Sequence, residues 1–414
     1  MNHAPFPPDL LQSPKWAWHI PSPEVAAEVR AFTLSDDCLV KSTAVRAVYR
    51  CGGYHLKFER APGLLGRFRN RLRPKARNEF AVGQALAESG VPSVECVGWG
   101  QLGGTNVLIT RTLPGAVSLE EYFYTHVVEG GESPDGILAE ITAFLNKFFD
   151  AGFYHGDLHF GNILYRPDTH TLAFVDLIAI ARREALGEDE RRAMCRCVVT
   201  LRNGLDRARM LKAIRDVGAA FGESEAEAFY FDVLRGTARH LVETWDKRRS
   251  QILGGYPKFT DALPCPDDPA RTILLRKDWL SRPIFAKEDA AKGLPPGYER
   301  MNPPPREREQ DDGDESVEPE NMAETMFLRS MYLQTLRVKH RRIVAFVQPG
   351  ELWMEPLPAG LSPEPPSPDD PEFAFFRKTL DELMIEAPPE TIRRLPDGAF
   401  YLTCVDRVYT GIEA

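Results

Sequence analysis

His155-Gly156-Asp157-Leu158-His159-Phe160-Gly161-Asn162-Ile163-Leu164, with Phe174-Val175-Asp176 a short way beyond, sets an aspartate, an amide and a second aspartate at the spacing that phosphoryl transfer requires. A hydroxyl that attacks a γ-phosphoryl group has to be oriented and relieved of its proton, which makes Asp157 the candidate base. The phosphates need hard cations, and magnesium takes oxygen from carboxylates and amides, which Asn162 and Asp176 supply. Ile163–Tyr165 and Thr171–Val175 read as two short strands around the turn Arg166-Pro167-Asp168, a hairpin that presents both ligands at one end. Any one of these residues alone is an ordinary turn former or cap. Their joint occurrence carries the reading.

Phosphoryl transfer on this plan needs a strand lysine for the α- and β-phosphates and a helix glutamate to hold it. Tyr54-His55-Leu56-Lys57-Phe58 alternates as a strand and offers Lys57. Ala76 to Leu86 has apolar residues at helical spacing and offers Glu79. Lys41–Arg50, a turn at Cys51-Gly52-Gly53 and Tyr54–Arg60 read as a hairpin, and Val107–Thr110 as a strand leading into a hinge. Pro114-Gly115 and Ser118-Leu119-Glu120-Glu121 then give a turn and a capped helix start. Adenine is expected against the backbone of Arg111 to Leu113.

Tyr54-His55-Leu56-Lys57, Arg77-Asn78-Glu79-Phe80, Gly90-Val91-Pro92-Ser93, Leu113-Pro114-Gly115, and His155 to Leu164 with Val175-Asp176-Leu177 together resemble the bacterial lipopolysaccharide kinase family. These are the Kdo/heptose kinases of the WaaP and InaA type, within the protein-kinase-like superfamily, and the resemblance covers about residues 35 to 250. It implies an α+β, protein-kinase-like two-lobed fold: a small antiparallel β lobe with one helix and a mostly helical large lobe, here with N- and C-terminal extensions. It also implies ATP and Mg2+ as cofactors and a sugar or glycolipid acceptor. His159 stands where protein kinases carry a lysine near the transferred phosphate, and a similar role is expected. His-Gly-Asp-Leu-His is shared with aminoglycoside and other small-molecule phosphotransferases, so the motif names a reaction and leaves the acceptor open.

Two departures from protein kinases shape the expectation. No Gly-x-Gly-x-x-Gly precedes Lys57, and Lys41-Ser42-Thr43-Ala44-Val45 holds no glycine, so phosphate cover falls to another backbone arrangement or to Ser42 and Thr43. Asp176 leads through Leu177-Ile178 towards a helical stretch with no Ala-Pro-Glu, which argues against a protein kinase regulated by loop phosphorylation. The alternatives are a kinase for a soluble small molecule or for protein side chains and, from another class, a pseudokinase that binds or scaffolds.

Between Lys57 and Glu79 the chain carries Arg60, Arg67, Arg69, Arg71, Arg73, Lys75 and Arg77 with no acidic residue from Arg60 to Arg77, interleaved with Leu64, Leu65, Phe68 and Leu72. Such a segment suits peripheral contact with an anionic membrane or a phosphorylated glycolipid, and equally a solvated basic loop. Nucleic acid fits less well, because the 414-residue chain has a formal charge of −9. Seven scattered cysteines without Cys-x-x-Cys spacing indicate a reducing compartment. Residues 1–35 are proline-rich without an apolar core, so no signal peptide is read there, and no apolar run is long enough to span a bilayer. The expected location is cytoplasmic, peripheral at the inner membrane.

The expected organisation is an N-terminal extension (1–34), small lobe (35–112), large lobe (113–255), irregular segment (256–302), acidic Pro-rich disordered linker (303–320) and C-terminal α+β extension (321–414). Within it, helices are read at Glu188–Asn203, Asp206–Phe221, Ser224–Arg249, Met322–Arg342 and Phe373–Ile385, and strands at Ile343–Val347 and Ala399–Cys404. Trp16 and Trp18 are expected to pack on the small lobe.

Overall fold

The computed structural model describes residues 6–61, 63–217, 221–303 and 321–412. The acidic linker expected over 303–320 therefore lies, but for Pro303, outside the described residues. The architecture mixes α and β with antiparallel sheets, and the chain divides into two compact units. One holds residues 1–197 and 215–220, the other 198–214 and 221–414.

The first unit opens with β1 (Ala17–His19), α1 (Pro23–Ala31), β2 (Leu39–Ser42), β3 (Arg46–Cys51), β4 (Tyr54–Arg60), α2 (Gly63–Leu72), α3 (Lys75–Glu88), β5 (Cys96–Leu102) and β6 (Thr105–Arg111). The strands form one six-stranded antiparallel sheet in the order β1-β5-β6-β4-β3-β2. The hairpin expected over 41–60 is present as β3–β4, but its first arm breaks at Thr43–Val45, because Thr43 closes a separate turn onto Arg46. Alternation along β4 sends Tyr54, Leu56 and Phe58 into a core with Phe6, Leu11, Trp16, Val25 and Val29. Trp16 is buried, stacks on Trp18 and donates its indole N–H to Leu10 O at 2.7 Å, so the N-terminal segment closes one face of this sheet. Strand β1 itself was not anticipated.

On α3, Ala76, Glu79, Gly83 and Leu86 recur on one face and are buried. The helix starts after Pro74, where Asn106 Oδ1 accepts the Ala76 N–H at 3.1 Å. It stops at Gly90, whose φ of 67° suits glycine, with Val91 N–H returned to Leu86 O. A Cβ on Gly83 would come within 2.6 Å of Cys96 Sγ, so glycine is what lets α3 approach β5.

The unit continues through β7 (Val117–Ser118), α4 (Leu119–Tyr122), a π-helical stretch Phe123–Glu129, α5 (Asp135–Asp150), β8 (Phe153–His155), β9 (Ile163–Arg166), β10 (Thr171–Phe174), β11 (Ile180–Arg182) and α6 (Glu188–Val199), whose last two residues fall in the second unit. Ser118 caps α4 by accepting the Glu121 N–H, as its spacing predicts. β9 pairs antiparallel with β10, and β8 with β11. Phe174, fully buried, stacks among Phe144 and Phe148 of α5 and thereby seats the hairpin on that helix.

The second unit contains most of α7 (Arg207–Asp216), then α8 (Glu223–Glu243), α9 (Trp245–Leu253), β12 (Thr260–Pro264), β13 (Thr272–Arg276), α10 (Lys287–Ala290), β14 (Glu299–Met301), α11 (Met322–Thr335), β15 (Ile343–Val347), β16 (Glu351–Met354), α12 (Pro371–Glu382), β17 (Ile385–Glu386), β18 (Ile392–Arg394), β19 (Phe400–Leu402) and β20 (Tyr409–Thr410). The stretch 256–302, expected to be irregular, instead supplies β12, β13 and β14 to a five-stranded antiparallel sheet in the order β12-β13-β15-β16-β14. These strands are three to five residues long and lie among prolines and glycines, and β13 and β14 find partners about seventy and about fifty residues downstream, so local pattern could not identify the sheet. The single helix read over 224–249 is two, parted at Thr244. Beneath the sheet, Arg276 is buried and donates to Gln334, Ser330 and Ile343 O, while His340 accepts from Ser330 and donates Nδ1–H to Val338 O.

Five cysteines, Cys51, Cys96, Cys195, Cys197 and Cys265, are buried and form no disulfide, the first four in the first unit and Cys265 in the second. Among the described residues no helix is long and apolar enough to cross a membrane.

Candidate active site

Register brings the expected lysine and its partners together. Lys57 sits in mid-β4 opposite Val48 and Leu108, and alternation turns it away from the core that Leu56 and Phe58 enter. Its ammonium lies 3.0 Å from Glu79 Oε2 and 2.9 Å from Asp176 Oδ1, so one cation ties the central strand to α3 and to the segment after β10. Burial works against the charge on Lys57, but the two carboxylates outweigh it and its pKa is raised. Asp176 is also opposed by burial, yet Lys57 holds its carboxyl below the usual range. For Glu79, only 2% exposed, burial prevails over Lys57 and its pKa is raised.

The loop from His155 to Asn162 runs between β8 and β9. Gly156 N–H bonds Ala179 O, and the buried His155 accepts the Asp157 N–H on Nδ1 at 3.1 Å, which leaves the ring proton on Nε2. Burial pushes the His155 pKa down to about 4, so the ring is neutral near pH 7. Asp157 itself is exposed, free to meet a ligand, on a backbone that His155 holds. Asn162 ends a 3-10 turn, Phe160–Asn162, and its amide Nδ2–H donates to Asp157 O at 3.1 Å. That bond turns Asn162 Oδ1 to other use.

Asn162 O accepts the Val175 N–H at 3.0 Å, and the β9–β10 ladder starts at Ile163↔Phe174, so Asn162 and Asp176 flank the same end of the hairpin. The oxygens there, Asn162 Oδ1 and the Asp176 carboxylate, are the hard donors magnesium selects. Among the described residues no group of three or more His, Cys, Asp or Glu is gathered to hold a metal. A two-ligand site completed by water and phosphate oxygens fits that donor set.

The remaining candidates are less engaged. His159 is exposed, with its ring against Gly161, where the carboxylate of Glu120 also approaches. Ser42 closes β2, and Thr43 Oγ1 accepts the Arg46 N–H at 3.1 Å, so that hydroxyl is part of the β2–β3 turn. Of the hinge backbone, the N–H groups of Arg111 and Thr112 are spent on Glu95 O and Gly53 O.

Three residues escaped the sequence reading. His155 organises the loop, and its place before Gly-Asp was the available signal. Arg46 shares the strand face of Lys57, pairs with Glu59 at 3.8 Å, and its charge contributes to lowering the Asp176 pKa; the clue was a cation at the end of a loop without glycine. Glu120 had no signal beyond its capped helix.

Residues 27–193 match the family model described as the lipopolysaccharide kinase (Kdo/WaaP) family. No curated protein matches the chain. Among solved structures, the crystal structure of the BubR1 kinase domain aligns at 13% identity over 45% of this chain and 60% of that one, with a TM-score of 0.29. The chain thus spans about 60% of that domain's length, and a likeness this slight carries no argument. The family match covers the stretch that holds Lys57, Glu79, Asp157, Asn162 and Asp176, and it makes residues 27–193 similar to lipopolysaccharide kinases, a family of phosphotransferases.

Proposed function

We propose that the chain is an ATP-dependent phosphotransferase acting on a sugar hydroxyl of lipopolysaccharide core or a related cell-envelope glycolipid. The observation that carries this reading is the contact of Lys57 with both Glu79 and Asp176, at 3.0 and 2.9 Å, beside a hairpin end that carries Asn162. In this reading the six-stranded sheet with α3 acts as the small lobe of a two-lobed kinase, and the segment from β7 onward begins the large lobe. The protein works in the cytoplasm, at the inner-membrane face where such an acceptor is presented, in peripheral contact through the segment Arg60–Arg77.

Lys57 holds the α- and β-phosphates, and Glu79 keeps it pointed at them. Asn162 and Asp176 hold Mg2+, which neutralises charge on the phosphates when bound. Asp157 orients the acceptor hydroxyl and takes its proton, while His155 keeps the loop in register. His159 lies near the transferred phosphate. Without a glycine-rich turn, phosphate cover rests on Ser42, the Thr43 turn and the neighbouring cation Arg46.

Thermal-shift titration with Mg-ATP tests the binding half: the wild type gains stability, and Asp176→Ala loses most of the gain. If neither protein responds, nucleotide chemistry is ruled out. Transfer from γ-labelled ATP to a cell-envelope extract, against a pool of soluble metabolites, tests the acceptor; label confined to the soluble pool would refute the glycolipid. The glycine-free β2–β3 turn favours a second reading, a pseudokinase that binds without turnover, and Asp157→Ala separates the two. The enzyme reading requires this variant to keep nucleotide binding and lose turnover.

A further inference from the structure

We infer that α2 is a membrane-docking helix that lies in the interfacial plane of an anionic bilayer with Leu64, Leu65, Phe68 and Leu72 among the acyl chains. Water-soluble helices turn their apolar stripe inward, and α2 does the reverse. Those four side chains are 83%, 87%, 64% and 63% exposed. At about 100° per residue their directions fall within roughly 100° of arc, a single stripe along the helix. The helix is anchored by its other side: Asn70, buried, donates to Gly104 O at 2.9 Å, the stem of Arg67 packs over Gly104, and Gln101 donates to the Arg71 carbonyl at 3.0 Å. These bonds hold α2 on the β5–β6 turn with its apolar stripe facing solvent.

Charge selects the occupant. Arg71 borders the stripe, Arg67 projects from the anchored side, Arg73 follows the helix, and no acidic residue intervenes from Arg60 to Arg77 in a chain whose formal charge is −9. An exposed apolar stripe edged by arginine matches the layered chemistry of an anionic bilayer, phosphate above and hydrocarbon below. The inference deepens the glycolipid reading, because docking would hold the enzyme where such an acceptor resides. It stands on a helix that none of the phosphotransfer residues occupies, and its test reads no activity.

The test is cosedimentation of the full-length protein with vesicles of phosphatidylcholine, alone or mixed with phosphatidylglycerol. The wild type is expected on the mixed vesicles, less so as salt is raised. Arg67→Glu, Arg71→Glu and Arg73→Glu together should weaken binding about a hundredfold or more, given the contribution of each basic residue near such a surface. Leu64→Ser, Leu65→Ser, Phe68→Ser and Leu72→Ser together should abolish binding, with circular dichroism and Mg-ATP thermal shift unchanged to certify folding. Failure of the wild type to bind either vesicle overturns the proposal, as does wild-type binding by the serine variant. A wild-type dimer in sedimentation velocity that the serine variant dissociates would assign the stripe to a second copy and overturn it too. Asp157→Ala should bind vesicles like the wild type, and a wild type that docks on vesicles but transfers no phosphate would count against the phosphotransfer reading alone.

Discussion

Burial moves the pKa values of Glu79 and His155 away from their ordinary values, in opposite directions. Burial raises the Glu79 pKa, so acidification protonates it and frees Lys57 at a higher pH than an ordinary glutamate would. Mg-ATP affinity measured by calorimetry against pH should therefore decline on the acid side, and Glu79→Gln should remove that limb while lowering affinity about tenfold or more at neutral pH, the cost of losing a charged partner. His155 is pushed down to about 4 from an ordinary 6.5. The unfolded chain then binds the extra proton across the window from pH 6.5 to 4, so this residue's contribution to stability, on the order of 3 kcal/mol in full, is lost as pH falls through it. His340, driven down to about 3 by burial and then by Arg276, adds to the same slope in the second unit. Urea midpoints at pH 7 and pH 5 should differ accordingly, and an unchanged midpoint would contradict both assignments.

At the scale of elements, α3 matters through its distance from β5. Gly83→Ala adds a methyl 2.6 Å from Cys96 Sγ, an overpacking that costs about 1–3 kcal/mol and outweighs the helical gain of alanine. Because Glu79 rides on α3, the same change should lower Mg-ATP affinity, and Cys96→Ala in the same chain should restore part of both. Additive losses in that double-mutant cycle would exclude the steric account. Much of this arrangement was legible in the sequence: the alternation of β4 exposed Lys57, the helical period placed Glu79, and the hairpin around Arg166-Pro167-Asp168 put Asn162 and Asp176 at one end. Each is a short-range pattern. The strand Ala17–His19 and the strands of 260–301 were hidden, because proline and glycine mask their brief alternation and β1, β13 and β14 take partners far along the chain, while β12 pairs only with its neighbour β13.

For the molecule as a whole, the N-terminal segment is part of the first unit's core. Trp16→Ala should destabilise that unit by about 3–5 kcal/mol, read as a fall in the thermal midpoint that Mg-ATP follows. The buried cysteines carry a further consequence. Burial pushes the thiols of Cys51, Cys96 and Cys195 up to about 12, and for Cys96 the charge of Glu79 adds to the effect, so an alkylating reagent finds almost no thiolate in the closed protein. Modification then has to wait for local opening, which turns each thiol into a clock for its own surroundings. Cys96 times the lifting of α3 from β5, Cys195 times α6, and Cys265 times the five-stranded sheet of the other unit. Mass-resolved alkylation should show Mg-ATP slowing Cys96 and leaving Cys265 unchanged, a chemical record of which parts of the chain the nucleotide holds shut.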